Sequence, residues 1–200
     1  MTLLKGSSEV TDLVIGNNMC PFENVTTFDV TKYPNLKSLK MGNNGFWFVN
    51  KVNFTGLNGL ESVEIGKNSF TQCKGGYDND PNRHFYLKNC PKLKSLKIGR
   101  YSFSDYSVIE IENVNALETI EMGDLSDKEC NSFRDASLTL RDLPALRTLV
   151  FGRGAFSNCL QAVFENLPEL ESIRMGYSAF AFGYENTTKL VMKSCACSVR

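Results

Sequence analysis

The sequence predicts a solenoid of stacked coils, mainly β, in which two short parallel strands per coil build two parallel sheets with little or no helix between them. Three observations predict it. A phrase of the form Leu-x-x-Leu-x-Ile-Gly recurs seven times, starting at Val10, Leu36, Leu60, Leu93, Leu117, Leu146 and Leu170. It ends each time on a glycine, namely Gly16, Gly42, Gly66, Gly99, Gly123, Gly152 and Gly176. The phrase returns every 24 to 33 residues, the spacing of an array whose units bury their apolar faces only by stacking. Lastly, a second alternating apolar run precedes each later phrase, and period-two alternation at this length marks a half-buried strand.

Taken in chain order, a coil opens on that second run. The runs are Phe28-x-Val30-x-x-Tyr33, Val52-x-Phe54-x-x-Leu57, Phe85-x-Leu87-x-x-Cys90, Ile109-x-Ile111-x-x-Val114, Leu138-x-Leu140-x-x-Leu143 and Ala162-x-Phe164-x-x-Leu167. A turn follows, and Pro34, Pro91, Pro144 and Pro168 stand where it is needed, two residues before the anchor leucine. The phrase itself is the other strand. Its closing glycine implies either a positive φ or a place too crowded for a side chain.

The anchors are separated by 26, 24, 33, 24, 29 and 24 residues, so alternate coils carry the extra length. The two largest insertions, Gln72 to Arg83 and Leu125 to Ala136, are polar and without apolar periodicity, and are expected to be solvent loops. Residues 1–200 read as one array of about seven coils with part of an eighth. Neither end carries a polar cap, which implies a piece of a longer array or association through the ends.

With Leu39 and Met41 pointing inward, the residue between them points out. Up the stack this outward column reads Val14, Lys40, Glu64, Lys97, Glu121, Val150 and Arg174. The columns from Lys37 (Glu61, Lys94, Glu118, Arg147, Glu171) and from Lys88 (Glu112, Arg141, Glu165, Lys193) alternate in sign as well. Opposite charges on adjacent strands contribute about 0.2–1 kcal/mol per pair, so the ladders read first as register devices. Alongside runs a column of Asp12, Ser38, Ser62, Ser95, Thr119, Thr148 and Ser172, small and hydrogen-bonding.

Extended further, the phrase becomes Leu-x-x-Leu-x-Ile-Gly-x-x-Ser-Phe, with the aromatic at Phe46, Phe70, Phe103, Phe156 and Phe180 and asparagine at Asn18, Asn44 and Asn68. In this form it resembles the leucine-rich-repeat signature over the whole chain. The ending Gly66-Lys-Asn-Ser-Phe70 or Gly176-Tyr-Ser-Ala-Phe180, with a following Cys73 or Cys159, is similar to the BspA-type class of surface-protein repeats. The Ile-Pro turn usual in that class is missing here. The resemblance implies a leucine-rich-repeat solenoid that binds a protein or glycan, with adhesion as the role. The alternative is the ligand-sensing part of a receptor or signalling protein. A catalytic solenoid ranks last, because its acidic residues would have to converge, and here they alternate with basic ones.

Composition narrows the partners. Lysine plus arginine equal aspartate plus glutamate at 22 each, leaving no field to attract nucleic acid or an anionic membrane. No segment approaches the roughly 20 apolar residues of a membrane helix, and the first residues lack the pattern of a signal peptide. As written the chain reads as cytoplasmic; as part of a longer protein it fits the cell surface or secretion. The seven cysteines, without a Cys-x-x-Cys pair, argue against a disulfide framework or zinc site. Cys20 takes the slot of the recurring Phe, and Cys90 and Cys195 that of Val114, Leu143 and Leu167.

No catalytic, cofactor or metal set is expected. The one histidine, His84, reads as an exposed loop residue on the flank of an insertion, and Asp78, Asn79 and Asp80 lack the spacing of a calcium loop. The sequons at Asn24, Asn53 and Asn186 carry little weight. Trp47 and Phe48 follow the core Phe46 and cannot all point inward on an extended segment. With Tyr101 and Tyr177, just beyond strand-end glycines, they either line one rim as interface anchors or pack across adjacent coils. The candidate binding surface is therefore Trp47, Phe48, Tyr101 and Tyr177 with the charged face of Lys40, Glu64, Lys97, Glu121 and Arg174.

Overall fold

The computed structural model describes residues 7–72, 80–126, 128–181 and 189–195. Fourteen strands alternate between two sheets. They are β1 (Asp12–Ile15), β2 (Thr27–Asp29), β3 (Ser38–Met41), β4 (Lys51–Thr55), β5 (Ser62–Ile65), β6 (Asp80–Lys88) and β7 (Ser95–Ile98). The series continues with β8 (Tyr106–Glu112), β9 (Thr119–Met122), β10 (Ser137–Arg141), β11 (Thr148–Phe151), β12 (Gln161–Leu167), β13 (Ser172–Met175) and β14 (Lys189–Cys195). Odd strands form one seven-stranded parallel sheet in chain order and even strands the other. The fold is a parallel β-solenoid, and no helix occurs among the described residues. None is therefore long and apolar enough there to cross a membrane.

The sequence phrases are the odd strands. Leu39, Val63, Leu96, Ile120 and Leu149 pair residue for residue up the stack, and each is buried. The even strands present Val52, Phe85, Ile109 and Leu138 from the opposite side, so the core is a slab between the sheets. The turn between the two strands is closed by Leu36 N–H donating to Tyr33 O at 3.1 Å and by Leu146 N–H donating to Leu143 O at 3.2 Å. Pro34 and Pro144 sit second in those turns, where the ring presets φ and no N–H is needed.

Of the two roles open to the strand-end glycine, crowding is the common one. A Cβ on Gly66 would lie 2.5 Å from Gly42 O, and one on Gly99 2.6 Å from Gly66 C. Only Gly123 among the seven takes a positive φ, +80. Gly42, Gly66, Gly99, Gly152 and Gly176 thus let one coil's backbone sit on the next.

Beyond the glycine the chain turns a corner on left-handed residues. Asn18, Asn44, Asn68, Tyr101, Asn131 and Ser178 have φ between 55 and 61 except Asn131 at 45, and Gly154 has φ +74. These residues are rungs of a backbone ladder: Asn44 N–H reaches Lys67 O at 2.8 Å, Asn68 N–H reaches Arg100 O at 2.9 Å, and Gly154 N–H reaches Tyr177 O at 2.9 Å. Two residues on stands the phenylalanine column, also left-handed, with stacked pairs from Phe46–Phe70 through Phe156–Phe180. The serine between them is buried, and Ser102 Oγ donates to Gly66 O at 2.7 Å. Cys20 fills the phenylalanine slot in the first coil and Cys195 pairs with Leu167, as the repeat register predicts.

Three expectations need correction. The stretch from Leu125 to Ala136 is not solvent loop throughout, because Cys130, Ser132, Phe133 and Ala136 are fully buried. Asn131-Ser132-Phe133 is the corner of that coil, and Phe133 is a rung of the aromatic column, stacked on Phe103 and Phe156. In the other insertion, β6 already begins at Asp80, and Arg83 is buried in an ion pair with Asp105. Arg83 Nη2 also donates to Val49 O at 2.8 Å, and Tyr106 Oη donates to the same carbonyl at 2.6 Å. Finally, His84 is no loop residue: it lies in β6, half-buried, with Nε2 2.8 Å from Pro81 O and Nδ1 3.0 Å from Tyr86 Oη. Residues 73–79, including Cys73, Asp78 and Asn79, lie outside the described residues, as do Cys197 and Asn186.

Candidate binding groove

The charge columns stand as the sequence spaces them. Register places Lys40 beside Glu64 and Lys97 beside Glu121, with ion pairs of 3.2 and 3.1 Å. On the other sheet Lys88 meets Glu112 at 3.2 Å and Arg141 meets Glu165 at 2.9 Å. Arg147 meets Glu171 at 2.8 Å in the third column. The side chains of the first column border a shallow depression of about 410 Å³ beside the hydroxyls of Ser38, Ser62, Ser95 and Thr119. Arg174 belongs to the same column, beyond Val150. Exposed pairs of this kind contribute about 0–1 kcal/mol each. They neutralise the face on which they stand.

The four aromatics do not form one rim. Trp47 is 39% exposed and Phe48 half-buried. They lie past the core rung Phe46, on the segment leading to β4, where Trp47 O accepts from Arg83 Nη2 at 2.5 Å. Tyr101 and Tyr177 instead share a groove of about 800 Å³ at the corner of the later coils. Asn68, Asn131, Arg134, Arg153, Gly154 and Ser178 line it with them.

The rung ladder explains why the groove is there. Asn18, Asn44 and Asn68 keep the asparagine of the repeat, and Asn68 Nδ2 donates to Asn44 Oδ1 at 3.0 Å. That bond ties the two rungs together through their side-chain amides. Past Asn68 the rungs become Tyr101, Asn131, Gly154 and Ser178, and Gly154 contributes no side chain. A Cβ there would meet Asn131 Oδ1 at 2.3 Å, so the glycine leaves room for the amide of the preceding rung. The extra residues after Gly123 bring Glu129 to the wall. Asparagine suits the left-handed region without a glycine's entropy cost, so its loss at three rungs removes a local preference of the repeat. Such departures concentrate at functional sites.

Electrostatically the groove is mixed. The Arg153 guanidinium lies 5.5 Å from the Tyr177 ring centroid, and that tyrosine is 78% exposed. Behind the wall, Asn158 Nδ2 donates to Asp135 Oδ1 at 2.7 Å. Burial holds the Asp135 carboxyl above its ordinary range, opposed by that hydrogen bond and by the Arg134 charge. Elsewhere the buried thiols of Cys90, Cys130 and Cys159 are all pushed up by desolvation, Cys159 to about 11. They sit as thiols packed in the core. Among the described residues no three His, Cys, Asp or Glu side chains assemble into a set able to hold a metal ion.

Sequence reasoning found Tyr101 and Tyr177 but missed Arg134, Arg153 and Gly154. The usable signal for Gly154 was its place two residues before Phe156, where other coils carry asparagine two residues before the ring. Compared with protein-family profiles, with curated proteins and with solved structures, the chain matches none of them.

Proposed function

We propose that the chain is a noncatalytic recognition module, a leucine-rich-repeat array of the BspA kind that binds a protein or glycan at its surface, with adhesion as the role. The observation that carries this reading is the groove beside Tyr101 and Tyr177, where the repeat gives up its asparagine rungs in favour of tyrosine, glycine and serine. Tyrosine and arginine are the residues that anchor interfaces, since each combines a large rigid contact area with a polar end. The balanced charge columns support the reading by contrast. A face whose charges already pair with each other offers little selectivity to a charged ligand.

The test is a screen of the folded chain against a displayed peptide library and an oligosaccharide array, with bound material recovered for mass spectrometry. Recovery of an unaltered ligand whose binding weakens with Tyr177→Ala supports recognition at this groove. Release of a chemically altered product would sink the noncatalytic reading, and absence of any ligand of either class would sink recognition itself.

A further inference from the structure

Resting on the recognition reading, we propose that the groove takes an oligosaccharide laid along the stacking axis of the solenoid. Shape comes first. The rungs Asn68, Tyr101, Asn131, Gly154 and Ser178 succeed one another up the stack, and at about 4.8 Å per parallel strand the four steps span roughly 19 Å. The groove is therefore long and open, suited to a linear chain more than to a compact molecule.

Its chemistry separates a sugar chain from a peptide. Peptides bind solenoid or sheet proteins chiefly by adding a strand to an open edge or by seating side chains in apolar pockets. Here the wall is a corner whose backbone groups are already engaged: Tyr101 N–H donates to Cys130 O at 2.6 Å and Gly154 N–H to Tyr177 O at 2.9 Å. Among the described residues lining it, none belongs to a strand of either sheet. What the groove offers are side chains of Asn131, Asn158, Ser157 and Ser178, amides and hydroxyls that both donate and accept. Sugar hydroxyls do the same. Arg153, which only donates, and Glu129, which only accepts, add one donor group and one acceptor group to the same wall.

The aromatic element completes the match. Tyr177 is held with Arg153 against one face of its ring, which leaves the other face of a largely exposed ring to solvent. A pyranose presents a flat patch of C–H groups, and burying such a patch on an aromatic ring combines apolar contact with attraction to the negative ring face. Tyr101 stands at the second rung of the same groove. Balanced charge on the wall, Arg153 with Glu129, does not require an acidic sugar.

The experiment is titration calorimetry of the whole chain with the hits of an array holding neutral and uronic-acid oligosaccharides of increasing length. Affinity should rise with chain length until the groove is filled. Tyr177→Ala should weaken binding tenfold or more, and Tyr177→Phe, which keeps the ring, should retain most of it. Gly154→Asn should abolish binding at some cost in stability, because its Cβ displaces the Asn131 amide 2.3 Å away, and a retained β-sheet circular dichroism spectrum would show that the coils still stack, as they do with asparagine at the left-handed rungs Asn44, Asn68 and Asn131. Binding of no oligosaccharide, or of oligosaccharides indifferent to both Tyr177→Ala and Gly154→Asn, overturns the proposal. Peptides bound through the same residues would overturn the sugar assignment and leave the recognition reading standing.

Discussion

The rings of Phe103 and Phe133 lie parallel, 5.0 Å apart at their centroids with 6° between their planes, and both residues hold a left-handed backbone with φ of 59 and 52. The two facts oppose each other energetically. A bulky residue in that region costs roughly 1–2 kcal/mol, whereas burying the ring contributes about 1.5–3 kcal/mol and the aromatic pair a further 0.5–1.5 kcal/mol. The stack wins. Phe133→Ala should destabilise the chain by roughly 3–5 kcal/mol. Phe133→Gly should cost less than Phe133→Ala, the reverse of the usual order, because glycine relieves the left-handed strain that alanine keeps. Urea unfolding of both variants measures the order, and an alanine variant the more stable of the two would remove strain from this account.

Close approach of successive coils predicts the response of the glycine column. Gly66→Ala forces a Cβ to 2.5 Å from Gly42 O, a backbone atom fixed in the ladder, and should cost about 1–3 kcal/mol or more as overpacking. Gly16→Ala meets nothing within 4 Å and should be near neutral. Equal losses at the two sites would mean that backbone entropy, not crowding, selects glycine here.

The buried ion pair of Arg83 with Asp105 predicts strong coupling. Asp105→Ala strands a guanidinium that is almost fully buried, at a cost of roughly 3–5 kcal/mol. The double variant Arg83→Ala, Asp105→Ala should cost clearly less than the sum of the singles. A double-mutant cycle that is additive within error would show that the pair is screened in solution.

Charge ladders make a weaker, salt-dependent prediction. Glu64→Lys sets a cation between Lys40 and Lys97 in register, and each facing pair should cost about 0.2–1 kcal/mol. The loss should shrink as salt rises to about 1 M, where the screening length falls to about 3 Å. A loss independent of salt would assign it to packing of the glutamate stem.

These contrasts show where the sequence was readable. Strand positions, facing and register followed from period-two alternation anchored on Leu39, Leu96 and Leu149, because a slip of one residue would turn every apolar side chain outward. Phe133 escaped because the residues after Gly123 shift it out of phase with the glycine, although Asn131-Ser132-Phe133 repeats Asn68-Ser69-Phe70 letter for letter. Arg83 and His84 read as loop in the sequence because β6 begins among polar residues whose ion pair and hydrogen bonds substitute for apolar periodicity. The groove was half legible. Exposed tyrosines advertise themselves in a sequence, but Gly154 matters only as a missing asparagine, and Arg153 only through its packing on Tyr177.

Alkaline pH offers the last discriminating measurement. Burial raises the Tyr106 hydroxyl well above its ordinary value of 10.0, Asp105 and Asp80 adding to the effect and Arg83 opposing it. Burial likewise pushes the Cys159 thiol from 9.0 to about 11. In both cases the folded chain keeps a proton that the unfolded chain releases, so the unfolded state binds fewer protons and stability falls as pH rises. The loss should begin above about pH 9 from the thiol and steepen above pH 10, each group contributing up to about 1.4 kcal/mol per pH unit while the two states differ by a full proton. Tyr106→Phe should lower stability at neutral pH by about 1 kcal/mol through loss of the bond to Val49 O, yet flatten the alkaline slope. If the slope above pH 10 is unchanged in that variant, the tyrosine is not the group that holds the extra proton, and the buried network around Arg83 opens to solvent before it titrates.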